Sequence, residues 1–227
     1  LKHFGEELKG KKVALSGFGN VTWGTARKLN ELGAKVITIS GPDGYILDED
    51  GVSGEKVDYL VELRASGKNI CAPYAEKFPG AKFFPGKKPW EVKADLYIPC
   101  ATQNEIHLED AKVMVANGCK YLCEGSNMPT TNEAIKYLMD NGVIVGPSKA
   151  ANAGGVACSC IEMGQNAGHT VFSPEQVYEQ LETIIVNIHK NSAEASERYG
   201  LGYNLVAGAN IAGFEKVAQA MMAQGVV

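Results

Sequence analysis

A short apolar run, Val13-Ala14-Leu15-Ser16, breaks at Gly17-Phe18-Gly19-Asn20, and a second run, Val36-Ile37-Thr38-Ile39, follows a helical stretch. In that stretch Ala26, Leu29 and Leu32 fall on one face, and Gly33 stands where a helix ends on a left-handed residue. Strand, glycine turn, helix and strand within about thirty residues make a βαβ unit, and such a crossover joins parallel strands. A parallel sheet needs helices on its faces, so this one feature excludes all-β and all-helical folds for the first part of the chain.

The same alternation continues. Residues 41–54 are rich in Gly, Asp and Pro and read as a surface loop or small hairpin around Tyr45-Ile46-Leu47, with a helix expected near 55–66. Short strands are expected at 94–98, 120–122 and 143–145, with helices near 108–116 and 132–140 between them. Thr130 and Glu133 have capping-box spacing before the second of these helices, and Asn141-Gly142 ends it. The fold class expected is therefore α/β: a Rossmann-like, doubly wound, mostly parallel sheet with C-terminal helices.

From about residue 153 the pattern is helical throughout. Ser173-Pro174-Glu175-Gln176 combines an N-cap serine, proline at the first helical position and Gln three residues on. Val177, Leu181, Ile184, Ile185 and Ile188 predict a buried stripe on that helix, and Ile211, Phe214, Ala218 and Met221 predict one on the last.

Charge and cysteine usage narrow the function classes. Twenty-two Lys and Arg stand against 26 Asp and Glu, a net charge of −4, without the basic excess of a nucleic-acid-binding surface. No apolar run approaches the roughly 18 residues of a membrane span, and the opening LKHFGEELKGKK is too charged for a signal peptide. Cys71, Cys100, Cys119, Cys123, Cys158 and Cys160 then read as free thiols in a reducing, cytoplasmic setting, serving as small apolar core residues. Their spacings lack C-x2-C and the four histidines are scattered, so no metal site is expected. The first residue is Leu1 rather than Met, and the chain is expected to be a piece of something longer.

Gly17-x-Gly19, directly after a strand and opening a helix, is the sharpest chemical signal. Glycine there lets a pyrophosphate approach the backbone, and the helix amino end offers N–H groups and a positive dipole end. Thr22 holds the third fingerprint position, where Gly or Ala is usual. About twenty residues on, where an acid commonly holds the ribose hydroxyl, stands Ser40, with Asp43 in Gly41-Pro42-Asp43-Gly44. Asp43 fits equally as ribose partner and as turn former. Three further segments of small residues, amides and hydroxyls fall at expected strand ends, at 99–104, 124–131 and 147–156.

GFGNVTWG, SGPDGY, PCATQN, EGSNMPTTNEA, PSKAANAGGVA and NLVAGANIAGF, in this order, resemble the cofactor-binding half of the glutamate dehydrogenase group within the Glu/Leu/Phe/Val dehydrogenases. The resemblance implies that residues 1–227 are an NAD(P)-binding domain, with 153–227 a helical C-terminal segment and the N-terminal substrate domain, with its catalytic lysines and aspartate, absent. It further implies that Gly17, Phe18, Gly19, Asn20 and Val21 wrap the pyrophosphate and adjacent ribose, and that Ser40, Gly41, Pro42 and Asp43 surround the adenosine ribose. Ala101 and Thr102 then lie beside the middle of the cofactor, Asn127 and Asn152 near the nicotinamide, and Val156 and Ser159 toward the glutamate side chain. Lys149 matches a family position without a mechanistic reason to be catalytic.

The activity implied is reversible oxidative deamination of L-glutamate to 2-oxoglutarate and ammonium with NAD in preference to NADP. The whole protein would be a homohexamer, and this chain a monomer or weak dimer with an apolar patch on its last helix. Two other readings stay open: a relative acting on leucine or phenylalanine, and a non-catalytic dinucleotide-sensing module.

Overall fold

The structure, a computed structural model, describes residues 1–225. It divides into two compact units, Leu1–Ile144 and the residues from Val145 on. The first unit is built on β1 (Lys12–Leu15), α1 (Asn20–Glu31), β2 (Lys35–Gly41), β3 (Gly44–Leu47), α2 (Glu55–Ala65), α3 (Ala72–Lys77) and β4 (Lys82–Pro85). It continues through β5 (Leu96–Ile98), α4 (Leu108–Ala116), β6 (Tyr121–Cys123) and α5 (Asn132–Asp140), and β7 (Ile144–Gly146) begins at its last residue. The sheet order is β4-β3-β2-β1-β5-β6-β7. β1 pairs in parallel with β2 and β5, and β5 with β6, while β3 pairs antiparallel with β2 and β4. The α/β, mostly parallel sheet expected from the sequence is thus present.

Central position explains composition. Val13, Ala14 and Leu15 of β1 have no exposed surface, and neither do Val36, Ile37 and Ile39 of β2, as expected of central strands in a parallel region. The β1–β2 register shifts between Val13 and Ala14. There the buried Thr38 hydroxyl takes the Leu15 N–H (3.0 Å) and donates to the Leu15 carbonyl (3.0 Å), so a side chain replaces ladder bonds just before the glycine turn.

The segment 41–54 resolves into the hairpin alternative: β3 returns along β2 through Pro42-Asp43, and β4 adds a further edge strand not foreseen. Leu32 is 50% exposed, against expectation: α1 ends at Glu31, and the chain turns at Gly33 (φ 81°) before Leu32 can pack. Thr131, not Thr130, caps α5, its hydroxyl accepting from Ala134 N, while Thr130 is buried in the preceding segment.

The second unit is helical: α6 (Ser148–Ala151), α7 (Gly154–Gly168), α8 (Pro174–Arg198) and α9 (Leu205–Gln224). Ser173 and Gln176 form the capping box that opens α8. The expected stripes differ from the outcome. Val177, Leu181, Ile184, Ile185 and Ile188 are half-buried, and the buried residues of α8 are Ser192, Ala195 and Ser196. On α9, Ile211 and Ala218 are half-buried, but Phe214 and Met221 are exposed. α8 and α9 come closest at small residues instead, Gly208 against Ser192 and Ser196. Cys158 and Cys160 are also exposed on α7, whereas Cys71, Cys100 and Cys119 are buried as expected and Cys123 is half-buried. Among the described residues no helix is long and apolar enough to cross a membrane.

Candidate functional site

The chain leaves β1 toward β2 on one side, and reaches β5 on the other side of β1 only later, so strand order reverses between β1 and β5. In open α/β sheets the carboxyl ends of two such strands bound a crevice. Gly17 follows β1 and Cys100 follows β5 at this point.

The two glycines of the turn have different duties. Gly17 is buried at φ 95°, and a Cβ on it would lie 2.5 Å from Thr22 Oγ1 and 2.7 Å from the Cys100 carbonyl oxygen. Its N–H donates to Ser40 Oγ (2.9 Å), and Thr22 Oγ1 donates to the Ser16 carbonyl (3.1 Å). Thr22, fully buried, therefore supplies a hydroxyl that a Gly or Ala in its place could not. Gly19 is the N-cap of α1, extended at φ −152°, with nothing within 4 Å of where its Cβ would stand. No side chain caps this helix, so its first-turn N–H groups face the space in front of Gly19. Asn20 and Val21 are exposed beside it. Phe18 turns the other way: its ring is buried edge-on against Trp23, with centroids 5.0 Å apart, and only its backbone is available to a ligand.

Ser40 is buried and committed to Gly17 N–H. Asp43 forms the β2–β3 turn with Pro42, and its carboxylate also accepts from Cys71 N (2.9 Å) and Ala72 N (2.9 Å), capping α3. The turn-forming alternative for Asp43 is therefore realised, and its charge is held fixed at the tip of the hairpin. Gly41 lies beneath that carboxylate; a Cβ on it would stand 2.7 Å from Asp43 Oδ1.

On the β5 side, Ala101 and Thr102 are exposed, and so is Asn127 in the segment after β6. These two segments are stitched together: Gly125 N and Ser126 N both donate to the Pro99 carbonyl (3.0 Å), and Asn104 N to the Met128 carbonyl (2.9 Å). Asn104 and Met128 both take positive φ (53° and 46°), a conformation that non-glycine residues hold only where the surroundings enforce it. Gly125 permits the approach, since a Cβ on it would come within 2.8 Å of Cys100 Sγ.

Glu105 carries no motif, and sequence reasoning missed it. It is 5% exposed, and its Oε1 accepts from Ser16 Oγ (2.9 Å) and Ala101 N (3.1 Å). Ser16 Oγ in turn accepts from Cys100 N (2.9 Å). Burial pushes the carboxyl pKa up, opposed by these hydrogen bonds and by Lys88, whose ammonium donates to the Glu105 carbonyl. Burial likewise raises the Cys100 thiol to about 12, so it remains a neutral thiol. The only hint in the sequence is an acid directly before the buried Ile106.

In the second unit, Asn152 is half-buried after α6, and Val156 and Ser159 are exposed on α7, where Ser159 Oγ bonds back to the Gly155 carbonyl (3.3 Å). Lys149 hydrogen-bonds Asn210 within the same unit. Among the described residues no group of three or more His, Cys, Asp or Glu could hold a metal.

These features define a doubly wound α/β domain with a glycine turn and an uncapped helix end at the strand-order reversal. Residues 1–225 match the Glutamate/Leucine/Phenylalanine/Valine dehydrogenase family, and the chain belongs to it. It is 57% identical over its whole length to the NAD-specific glutamate dehydrogenase of Clostridium symbiosum, covering 50% of that protein. It is 46% identical to the NADP-specific glutamate dehydrogenase of Haemophilus influenzae, over 98% of this chain and 49% of that one. A solved glutamate dehydrogenase structure, 57% identical, superposes with a TM-score of 0.96 over all of this chain and 51% of its own. The chain spans about half the length of the curated relatives it matches.

Proposed function

We propose that this chain is the cofactor-binding part of a glutamate dehydrogenase that interconverts L-glutamate with 2-oxoglutarate and ammonium. The observation that carries this reading is the uncapped amino end of α1 opening onto the empty space before Gly19, beside the crevice between β1 and β5. A dinucleotide pyrophosphate fits there: it would take the orphaned N–H groups and the positive helix end. Ser40 and Thr22 fix the turn by their hydrogen bonds, and we assign the exposed Ala101, Thr102 and Asn127 to the middle and nicotinamide end of the cofactor. On the family resemblance alone, we assign Asn152 to the nicotinamide and Val156 and Ser159 to the glutamate side chain.

A bound NAD(P)+ would supply the hydride acceptor for this oxidation, and the backbone of Gly17–Val21 with Ala101, Thr102 and Asn127 would hold and orient it. This chain's residues bind and orient, while the proton transfers belong to the other half of the protein. The same reading makes the whole protein a cytoplasmic homohexamer and the 227-residue chain a monomer or weak dimer. The chain alone should therefore bind NADH and oxidise no glutamate. Calorimetric titration with NADH and an absorbance assay with glutamate and NAD+ check both halves. A chain that binds no dinucleotide, or one that turns glutamate over, contradicts the proposal.

NAD is the preferred cofactor. Asp43 is held in place by two backbone N–H groups, so its charge cannot swing away from a ribose at the hairpin tip. At about 4 Å and an effective dielectric near 20, repulsion of a 2′-phosphate amounts to about 4 kcal/mol per charge, less where water enters. The greater identity to an NAD-specific than to an NADP-specific relative supports the same choice. With water screening most of that repulsion, Asp43→Ser should narrow the ratio of NADPH to NADH dissociation constants by at least about tenfold. It should also lower the melting temperature, because Cys71 and Ala72 lose their acceptor. A wild type that already prefers NADPH, or an unchanged ratio in the variant, removes Asp43 as the discriminator.

A further inference from the structure

Two segments bound the crevice in unit one: the turn Gly17–Val21 after β1, and the loop Pro99–Asn104 after β5. Strand pairing alone joins them loosely, since the last ladder contact between the two strands is Ser16 N to the Ile98 carbonyl at 3.4 Å. Beyond it the connection passes to side chains. Ser16 Oγ accepts from Cys100 N and donates to Glu105 Oε1, and the same carboxylate oxygen accepts from Ala101 N. A hydroxyl and a carboxyl thus close a bridge from the residue preceding Gly17 to the residue preceding Thr102. Ser16 has no exposed surface, and Glu105 almost none.

A buried carboxyl is expensive to desolvate, and a fold that needed only packing at this point would be served by an apolar residue. Lys88 does not discharge that demand by a side-chain ion pair, because its ammonium donates to the Glu105 backbone carbonyl (2.6 Å). What the carboxyl accomplishes is geometric: one oxygen receives donors from both walls of the crevice at once.

We propose that Glu105 is a positioning residue for the dinucleotide, clamping the pyrophosphate turn to the Ala101–Thr102 loop so that a ligand spanning both meets them at one fixed spacing. This rests on the reading that a dinucleotide lies across these two segments. It distinguishes ligands by reach. ADP, which ends at the turn, needs only one wall, whose glycine is held independently by Ser40. NADH needs both.

The test compares dissociation constants for NADH and ADP in the wild-type chain and in Glu105→Ala, Glu105→Gln and Ser16→Ala, with a melting curve for each. Glu105→Ala and Ser16→Ala should weaken NADH binding about tenfold, because the two walls lose the acceptor that fixes their spacing, and ADP binding less than about twofold. Glu105→Gln keeps an acceptor oxygen and should recover most of the NADH affinity. Equal losses for both ligands, which a general loosening of the fold would cause, overturn the proposal, and so does an unaltered NADH affinity in Ser16→Ala and Glu105→Ala. Should Glu105→Ala not fold, Ser16→Ala against Glu105→Gln decides by the same ratio. Wild type that fails to bind NADH at all refutes the cofactor reading, a result distinct from wild-type binding with an unchanged ratio in the variants.

Discussion

Gly19→Val should abolish most dinucleotide binding, about a hundredfold or more in dissociation constant, while the protein stays folded. The two halves of that expectation come from the same geometry. At φ −152° the backbone of Gly19 is extended, which valine adopts readily, and nothing lies within 4 Å of the new Cβ. The loss of a favourable N-cap residue costs about 1 kcal/mol or less. The branched side chain instead fills the approach to the first-turn N–H groups, where a pyrophosphate would sit. Gly17→Ala is the contrasting case. Its Cβ would meet the Cys100 carbonyl oxygen at 2.7 Å, and φ 95° disfavours any L side chain, so it should destabilise the fold by about 2–4 kcal/mol. Titration with NADH beside a thermal melt separates them. If Gly19→Val binds normally, the turn is structural only; if it unfolds the chain, the open space before Gly19 has been misjudged.

What could be read from the residues follows the range of the interactions concerned. α4 and α5 have the bounds expected, because apolar periodicity and Asn141-Gly142 act within a turn or two of the helix they define. The cap of α5 was displaced by one residue. Thr130 and Thr131 both offer a hydroxyl, and the Thr131 backbone N–H bonding to the Ile106 carbonyl selects between them from a distant segment. β4 was invisible for a similar reason. Lys82-Phe83-Phe84-Pro85 is too short to show alternation, and it becomes a strand only through its ladder to β3, whose Tyr45 ring stacks on Phe84 at 4.7 Å.

The crevice divides along the same line. Gly17 and Gly19 announce themselves by position between strand and helix, but which of them is sterically required depends on Thr22 and Cys100. Ser40 and Asp43 were marked as ribose neighbours by their distance along the chain. Their actual hydrogen bonds, to Gly17 and to the start of α3, connect residues 23 and 28 positions apart. Glu105 reaches Ser16 across 89 positions, and no local pattern encodes that pairing.

In the second unit the same limit appears as a misplaced stripe. Hydrophobic spacing on α9 marked Phe214 and Met221 as core, yet Phe214 is 68% exposed and the close contact is made by Gly208. A Cβ at Gly208 would stand 1.9 Å from the Ser192 carbonyl oxygen and 3.1 Å from Ser196 Cβ, so α8 and α9 approach backbone to backbone here. Ser192 and Ser196 fit this contact by being small, and Ser192 Oγ satisfies itself on the Ile188 carbonyl (2.8 Å). Gly208→Ala must therefore push the helices apart, and should destabilise the helical unit by about 2–3 kcal/mol even after the gain in helix propensity. Gly213 is the internal control. It lies on the same helix, exposed, with nothing within 4 Å of its Cβ position. Gly213→Ala should stabilise by about 0.5–1 kcal/mol, because only propensity changes. One substitution at two sites five residues apart should thus move stability in opposite directions. Chemical denaturation followed by circular dichroism reads both, and a Gly208→Ala variant as stable as Gly213→Ala would mean that the α8–α9 crossing is not set by this glycine.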